Sequence, residues 1–355
     1  MPELDILLPF ALPPIALGAD LLRAMETPAL ALLLGRALSH QHKIFDAFAH
    51  ALPHETWLAR AVGLPVDSLV SSSPPITLLA MQRFGAPADY GVWFIVNPVH
   101  LHVARDHLVL TDRRRLNLSE AESHALFDVA EPLFAEVGQR LVFGDAQTWF
   151  LQADSWNDLQ TATPDATCGH NIDIWMPKGP TEREWRKIQN EVQMRWHDCP
   201  TNQLRAAHGK QVVNALWLWG GASAAFEALA PTYRVLCARD GALPEWCPDS
   251  RVDVASVEQL LASVNATSTP QGGRALLVLD DLIAPALAED YAEWLARFNA
   301  LERLWLAPIA AALRNNTLRQ CRLILTNGTV ITEATVPRAR LRRFWNKPTL
   351  AGLLA

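Results

Sequence analysis

The apolar and polar positions along the chain follow two periods. Leu4 to Leu8 is a short, mostly apolar run of strand length, interrupted by Asp5, and reads as a buried first strand. Leu216 to Trp219, Tyr233 to Cys237, Ala275 to Leu279 and Arg322 to Thr326 repeat it. Helical spacing fills the intervals. Asp20 to Gly63 is rich in Ala and Leu and is broken near Pro28, Gly35 and Pro53, which predicts a block of short helices. Ser119 and Glu122 make a capping box ahead of an apolar face of Leu126, Val129, Leu133 and Val137 that stops at Gly138, and Pro132 should bend that helix. A second box, Thr181 with Glu184, opens a helix whose stripe is Trp185, Ile188, Val192 and Trp196. Leu287 to Leu306 reads as one long amphipathic helix.

Strands separated by helices predict an α/β fold, a mostly parallel sheet covered by helices on both faces. Trp93 to Asn97, Leu101 to Ala104 and His107 to Leu110 are short, with turn residues between them, and predict a small antiparallel β element. The clearest loop is Val66 to Pro75, where a domain edge can fall. The expected organisation is a single α/β unit over residues 1–355, with room for an inserted subdomain around 90–220.

Composition narrows the partners. The net charge is −6 over 355 residues, so no global field draws the chain to nucleic acid or to an anionic membrane. Five cysteines, Cys168, Cys199, Cys237, Cys247 and Cys321, form no C-x-x-C pair, which argues against a zinc ribbon or a disulfide framework. Glu3 and Asp5 stand where an export signal carries basic residues, and Pro9, Pro13 and Pro14 interrupt the apolar start. No run reaches the roughly 18 apolar residues of a membrane span. The expectation is a soluble, cytoplasmic protein.

The stretch with the most specific chemistry is Asn202 to Gly220, NQLRAAHGKQVVNALWLWG. Asn202, Arg205 and Asn214, with His208 between them, are donors that can orient a phosphate or carboxylate, and Leu216 to Trp219 is a strand to hold them. The alternative has Arg205 capping local carbonyls or pairing with Glu191 or Asp198, with both tryptophans as core. Metal candidates are weaker: His100 and His102, alternating on a strand with His107 nearby, and Asp280 with Asp281 at a strand end. Ser223 sits in Gly221-Ala222-Ser223-Ala224-Ala225, one residue short of a nucleophile elbow. Neither dinucleotide-binding nor P-loop glycine pattern is present. The tail Arg338 to Lys347 interleaves five cations with Phe344 and Trp345, as a solvated helix face or a contact for an acidic or phosphate partner.

With these residues in view, the chain resembles the RpfE-type regulatory proteins of Gram-negative bacteria, relatives of archaeal-type cofactor-independent phosphoglycerate mutase in the alkaline-phosphatase superfamily. The carriers are Pro74-Pro75-Ile76-Thr77-Leu78-Leu79, Asn97-Pro98-Val99-His100-Leu101, Gly169-His170-Asn171-Ile172-Asp173, Met176-Pro177-Lys178-Gly179, Asn190-Glu191-Val192-Gln193-Met194, the Asn202 stretch and Arg343-Phe344-Trp345. Membership implies an alkaline-phosphatase-like fold and, in the mutases, two divalent ions held by Asp and His around a Ser nucleophile. This sequence departs from that pattern. Its first strand ends in Leu8-Pro9-Phe10-Ala11 where an aspartate is expected, and no D-x-x-G-H segment occurs in its last third. The resemblance therefore implies a non-catalytic or regulatory derivative with no cofactor, binding a small anionic ligand or a protein partner. The other possibility is an active phosphomutase or phosphatase using Asp280, Asp281, His100 and His102.

Overall fold

The structure, a computed structural model, describes all residues except 68–69, 87–89, 226–231, 234, 240–242, 247–250, 268–273, 344 and 355. The chain divides into two compact units, Met1–Ala47 with Ala230–Ala355, and Phe48–Leu229. The first segment of unit 1 holds β1 (Glu3–Leu8), α1 (Gly18–Ala24), α2 (Pro28–Gly35) and β2 (Ser39–Ile44). Unit 2 follows with α3 (Pro53–Ala61), α4 (Thr77–Arg83), β3 (Val92–Val99), β4 (Leu101–Val103), β5 (Leu108–Leu110), α5 (Glu120–Glu136), β6 (Arg140–Phe143) and β7 (Trp149–Gln152). It continues through α6 (Pro164–Thr167), α7 (Glu182–His197), α8 (Pro200–Ala207) and β8 (Ala215–Ser223). Unit 1 resumes with β9 (Val235–Ala238), β10 (Val252–Asp253), α9 (Val257–Thr267), β11 (Arg274–Val278), α10 (Ile283–Leu287), α11 (Tyr291–Leu301), α12 (Ala307–Arg314), β12 (Gln320–Thr326) and β13 (Val330–Pro337).

Unit 1 is built on a seven-stranded sheet in the order β10-β9-β11-β1-β12-β13-β2. The five strands from β10 to β12 run parallel, and β13 and β2 add antiparallel at one edge. The α/β fold with a mostly parallel sheet is thus as the periodicity predicts. Central strand β1 is buried on both faces: Leu4, Ile6 and Leu8 join one apolar layer, and Asp5 and Leu7 on the other face are equally hidden. The layer is completed by Leu30 and Leu33 of α2, Leu260 and Val264 of α9, Trp294 and Phe298 of α11, and Ile309 and Leu313 of α12. Each contributes at helical spacing, so amphipathic periodicity and sheet burial specify the same core.

Unit 2 carries a four-stranded antiparallel sheet, β6-β7-β3-β8, and a separate hairpin of β4 and β5. Helices α5 and α7 share its core: Leu126, Ala130 and Phe134 meet Trp185, Ile188, Val192 and Trp196. Trp156 meets Trp185 edge to face at 5.9 Å, and Trp149 meets Trp196 the same way at 6.0 Å. Such aromatic pairs stabilise by about 0.5 to 1.5 kcal/mol beyond their buried area.

Several local expectations change. The predicted small antiparallel element is two structures, because β3 pairs with β7 and β8 while only the 101–110 segment closes on itself. Strand β2 lies inside the stretch read as short helices; all six of its residues are exposed, so no apolar alternation marks it. The Ser119–Glu122 box closes, with Ser119 Oγ accepting from the Glu122 amide. Thr181 makes no such bond, because Glu184 instead accepts the indole N–H of Trp156 at 3.0 Å. The expected helix over 287–306 begins only at the Asp290 cap and passes into a π-helical turn, Glu302–Leu306. There buried Glu302 accepts the Leu30 amide at the start of α2. The basic tail forms a short 3₁₀ turn, Arg338–Arg342, with Leu341 packed on the core and Trp345 63% exposed. Arg234, Cys247 and Phe344 lie outside the described residues. The Val66–Pro75 loop falls within unit 2, not at its edge. No described helix is long and apolar enough to cross a membrane.

Trp185 is 1% exposed on the shared face of α5 and α7. Trp185→Ala is expected to destabilise unit 2 by about 3 to 5 kcal/mol. A urea or thermal midpoint equal to that of the wild type would show that the indole is not a core element.

Candidate functional site

In open parallel sheets, ligands sit outside the carboxyl ends of the strands. At that edge of unit 1 a cavity of about 420 Å³ is lined by Phe10, Leu12, Pro14, Ile15, Ala16, Ala286, Tyr291, Trp294, Asn327, Gly328 and Thr329. Its volume is within the usual range for small-molecule sites. Four elements position it: the segment leaving β1, the turn between β12 and β13, α10 through Ala286, and the first half of α11.

The backbone at the end of β1 is unusual. Phe10 has φ +56°, the left-handed region, which costs a bulky residue about 1 to 3 kcal/mol and persists only where the surroundings over-determine it. Here they do. The Phe10 amide donates to Thr326 Oγ1 at 3.2 Å, and its carbonyl accepts the Trp294 indole N–H at 2.9 Å. The Leu12 amide donates to the Thr326 carbonyl at 2.9 Å. Strand β12 and helix α11 thereby hold the turn from both sides and present Phe10 to the cavity beside Trp294.

The remaining lining is neutral. Asn327 Oδ1 accepts the amides of Thr329 and Val330, which shapes the turn and leaves its amide nitrogen outside those bonds. Burial, reinforced by the Glu289 charge, pushes the Tyr291 phenol up, so it stands as an uncharged hydroxyl. Ile15 lines the cavity yet is 89% exposed, and Leu17 beside it is also exposed. Apolar surface therefore continues outward past the mouth.

The resemblance implies Asp and His ligands for two divalent ions, and the residues at this edge do not fit that requirement. The end of β1 offers Phe10, and the end of β12 offers Thr326 and Asn327, none of them a strong ligand. At the end of β11, Asp280 accepts the Leu243 amide at 3.2 Å, and Asp281 is paired with Arg239, so a cation would have to displace a guanidinium. Among the described residues no group of three or more His, Cys, Asp or Glu could hold an ion. His100 Nδ1 lies 2.9 Å from the Val212 carbonyl, and burial holds its ring below the ordinary histidine range; His102 is exposed. Ser223 ends strand β8, exposed, with Oγ accepting the Ala225 amide.

The Asn202 stretch needs the larger correction. The expected open anion fork is closed. Arg205 is 1% exposed, and its donors reach the Gln211 carbonyl at 2.8 Å, Glu122 Oε2 at 2.9 Å and the Leu116 carbonyl at 2.5 Å. Asn202 is spent on the Trp196 and Val213 carbonyls and the Val213 amide, and Asn214 on both backbone groups of Leu101. His208 caps α8 and faces water. The partner of Arg205 is neither Glu191 nor Asp198 but Glu122, the capping-box residue of α5. Burial works against its ionisation, yet the Ser119 groups, Arg205 and Lys210 hold its carboxyl below the usual range. The donors that suit an anion also suit a loop of unpaired carbonyls, and only the fold shows which they meet.

Sequence reasoning named Phe10 only as a departure from a metal pattern, and it missed Tyr291, Trp294, Asn327 and Thr329. Nothing in their spacing marks them; the left-handed turn that joins them is a property of the folded chain. Arg205→Ala is expected to lower the melting midpoint, because it leaves the Leu116 and Gln211 carbonyls without their donor, at about 1 to 3 kcal/mol for each buried group so stranded. Phosphate and phosphoglycerate are expected to shift the wild-type midpoint no more than sodium chloride of equal ionic strength. A specific shift lost in Arg205→Ala would restore the open fork.

No family model matches the sequence, and no curated protein sequence matches it. Among solved structures, the chain is similar to the cofactor-independent phosphoglycerate mutase from Thermoplasma acidophilum, with a TM-score of 0.46 and 14% identity over 100% of this chain and 95% of that one. It is also similar to the PH0037 protein from Pyrococcus horikoshii, with a TM-score of 0.47 and 11% identity over 95% of this chain and 87% of that one. Likeness at these values carries no statement about activity.

Proposed function

We propose that this chain is a binding protein with a regulatory role, in which the carboxyl edge of the sheet receives a small neutral ligand in place of metal-assisted phosphoryl chemistry. The observation that carries this reading is the cavity of about 420 Å³ whose lining, among the described residues, includes no Asp, Glu, His, Lys or Arg. An anionic ligand would lose its hydration there and meet no cation. This replaces the phosphorylated or carboxylated ligand expected from the sequence. Phe10, Tyr291 and Trp294 offer aromatic walls, and Asn327, Thr329 and the Tyr291 hydroxyl offer hydrogen bonds toward a polar end. The ligand class is a neutral molecule with a flat apolar body and one hydrogen-bonding end. The strain held at Phe10 supports a built site, because the left-handed turn persists only through its bonds to Thr326 and Trp294.

Indole is a suitable probe, being neutral, flat and a hydrogen-bond donor. It is expected to raise the melting midpoint in a saturable way, with stabilisation approaching about 2.7 kcal/mol at one hundred times its dissociation constant. Inorganic phosphate should give no such rise. Ala16→Trp, at an exposed position on the wall, should leave the ligand-free midpoint near wild type and remove the indole effect. Saturable stabilisation by phosphate that Ala16→Trp removes, or indole stabilisation that this variant leaves intact, would sink the reading.

A further inference from the structure

Unit 2 contains a buried group of ionisable side chains that the cavity of unit 1 does not use. His54 and Glu55 open helix α3 at 0% and 2% exposure, and Asp165 lies in α6 at 8%. Asp112 and Arg114 approach from a 3₁₀ turn, Arg113–Leu116, with Asp112 at its cap. The hydrogen bonds divide these groups unequally. Arg114 grips Asp165 through two bonds, at 3.0 and 2.5 Å, and reaches Asp112 at 2.7 Å, so its guanidinium is committed to two carboxylates.

Glu55 faces the same interior without a cation of its own. Both of its bonds fall on one oxygen: the Leu52 amide donates at 2.7 Å and the Thr163 hydroxyl at 2.6 Å. Thr163 is the cap of α6 and donates its own amide to the His50 carbonyl at 2.9 Å. The Glu55 carboxyl is therefore the hydrogen-bonded link between the start of α3 and the start of α6. The two donors and the more distant Arg114 favour the carboxylate, but burial beside Asp165, with Arg114 held by Asp112 and Asp165, weighs more and favours the carboxylic acid.

We propose that this junction is a proton-dependent latch, closed while the Glu55 carboxyl keeps its proton and loosened when the proton leaves. The charged and titratable groups facing it are His54 on its own helix, Asp165 from α6, and Asp112, Arg113 and Arg114 from the neighbouring turn, with Cys168 at the end of α6. Burial, then the Asp165 charge, pushes Glu55 up to about 8. Burial pushes His54 down to about 4, so that ring is neutral throughout the range in question.

The pH window follows from the signs. The folded chain keeps the Glu55 proton up to about pH 8, whereas an unfolded glutamate releases it near its ordinary value. The contribution of Glu55 is thus complete in acid and is lost as pH rises through about 8. His54 acts oppositely, but only below the ordinary histidine value of 6.5. Cys168, pushed up by burial to about 12, acts only above the ordinary thiol value of about 8.5. Between those limits Glu55 stands apart from both.

The test uses the full chain at pH 6.5, 7, 7.5 and 8. Urea unfolding, read with hydrogen exchange of the α3 and α6 amides, should show the folding constant of unit 2 falling about tenfold per pH unit in this interval, the slope for one proton. Glu55→Gln, which keeps the shape and carries no proton to lose, should flatten that slope and retain slow exchange at pH 8. If Glu55→Gln fails to fold, the wild type labelled with carboxyl-¹³C glutamate decides by infrared difference spectroscopy. A protonated-carboxyl stretch present at pH 7 and lost through about pH 8 supports the latch. A flat wild-type profile, an equal slope in Glu55→Gln, or no protonated carboxyl at pH 7 overturns it.

Discussion

One buried carboxylate organises the sheet of unit 1. Asp5, in the middle of β1 and 1% exposed, lies directly across from Arg322 of β12. It accepts from Arg322 Nε at 3.0 Å and from the Tyr233 hydroxyl at 2.5 Å, with Arg274 of β11 at 3.3 Å. Arg322 also reaches Glu333 of β13 at 3.0 Å. One charge in the central strand thus engages strands on both sides of it. A slip of one residue would turn Asp5 into the layer of Leu4, Ile6 and Leu8, where a charge has no partner, so the register tolerates no such slip. Everything at the carboxyl edge depends on that register, because it sets where β1 ends relative to β12.

The consequence is visible at Phe10. With β1 and β12 aligned, Thr326 receives the Phe10 amide while Trp294 of α11 donates to its carbonyl, and the left-handed turn is held from two elements. That turn closes a neutral, aromatic-walled cavity. The groups that line it offer aromatic stacking and hydrogen bonding, the basis of the proposed neutral ligand.

Unit 2 shows how buried polar groups can look functional from spacing alone. Arg205, Asn202 and Asn214 have the donors of an anion site, but each is turned inward on carbonyls and amides left unpaired where α8 gives way to β8, and on Glu122 of α5. The grouping around Glu55 differs in kind. There the polar atoms outnumber the charges available to pair them, and a proton makes up the difference.

The amphipathic stripe of Trp185, Ile188, Val192 and Trp196, the Ser119–Glu122 cap and the apolar strand cores at Leu4 to Leu8 and Leu216 to Trp219 were legible in the sequence, because each depends on neighbours within a few residues and on burial, which repeat with a fixed period. The α/β class followed from their order. Strand β2 was not legible, since its six exposed residues carry no period and it exists only because β13 offers an edge. The direction of the Arg205 fork, the left-handed Phe10 and the meeting of Glu55 with Thr163 were equally hidden. Each joins residues far apart in sequence, and a donor or carboxyl looks the same in sequence whether it meets solvent, a ligand or the chain itself. Local periodicity determined the elements; only the tertiary structure decided what their polar groups face.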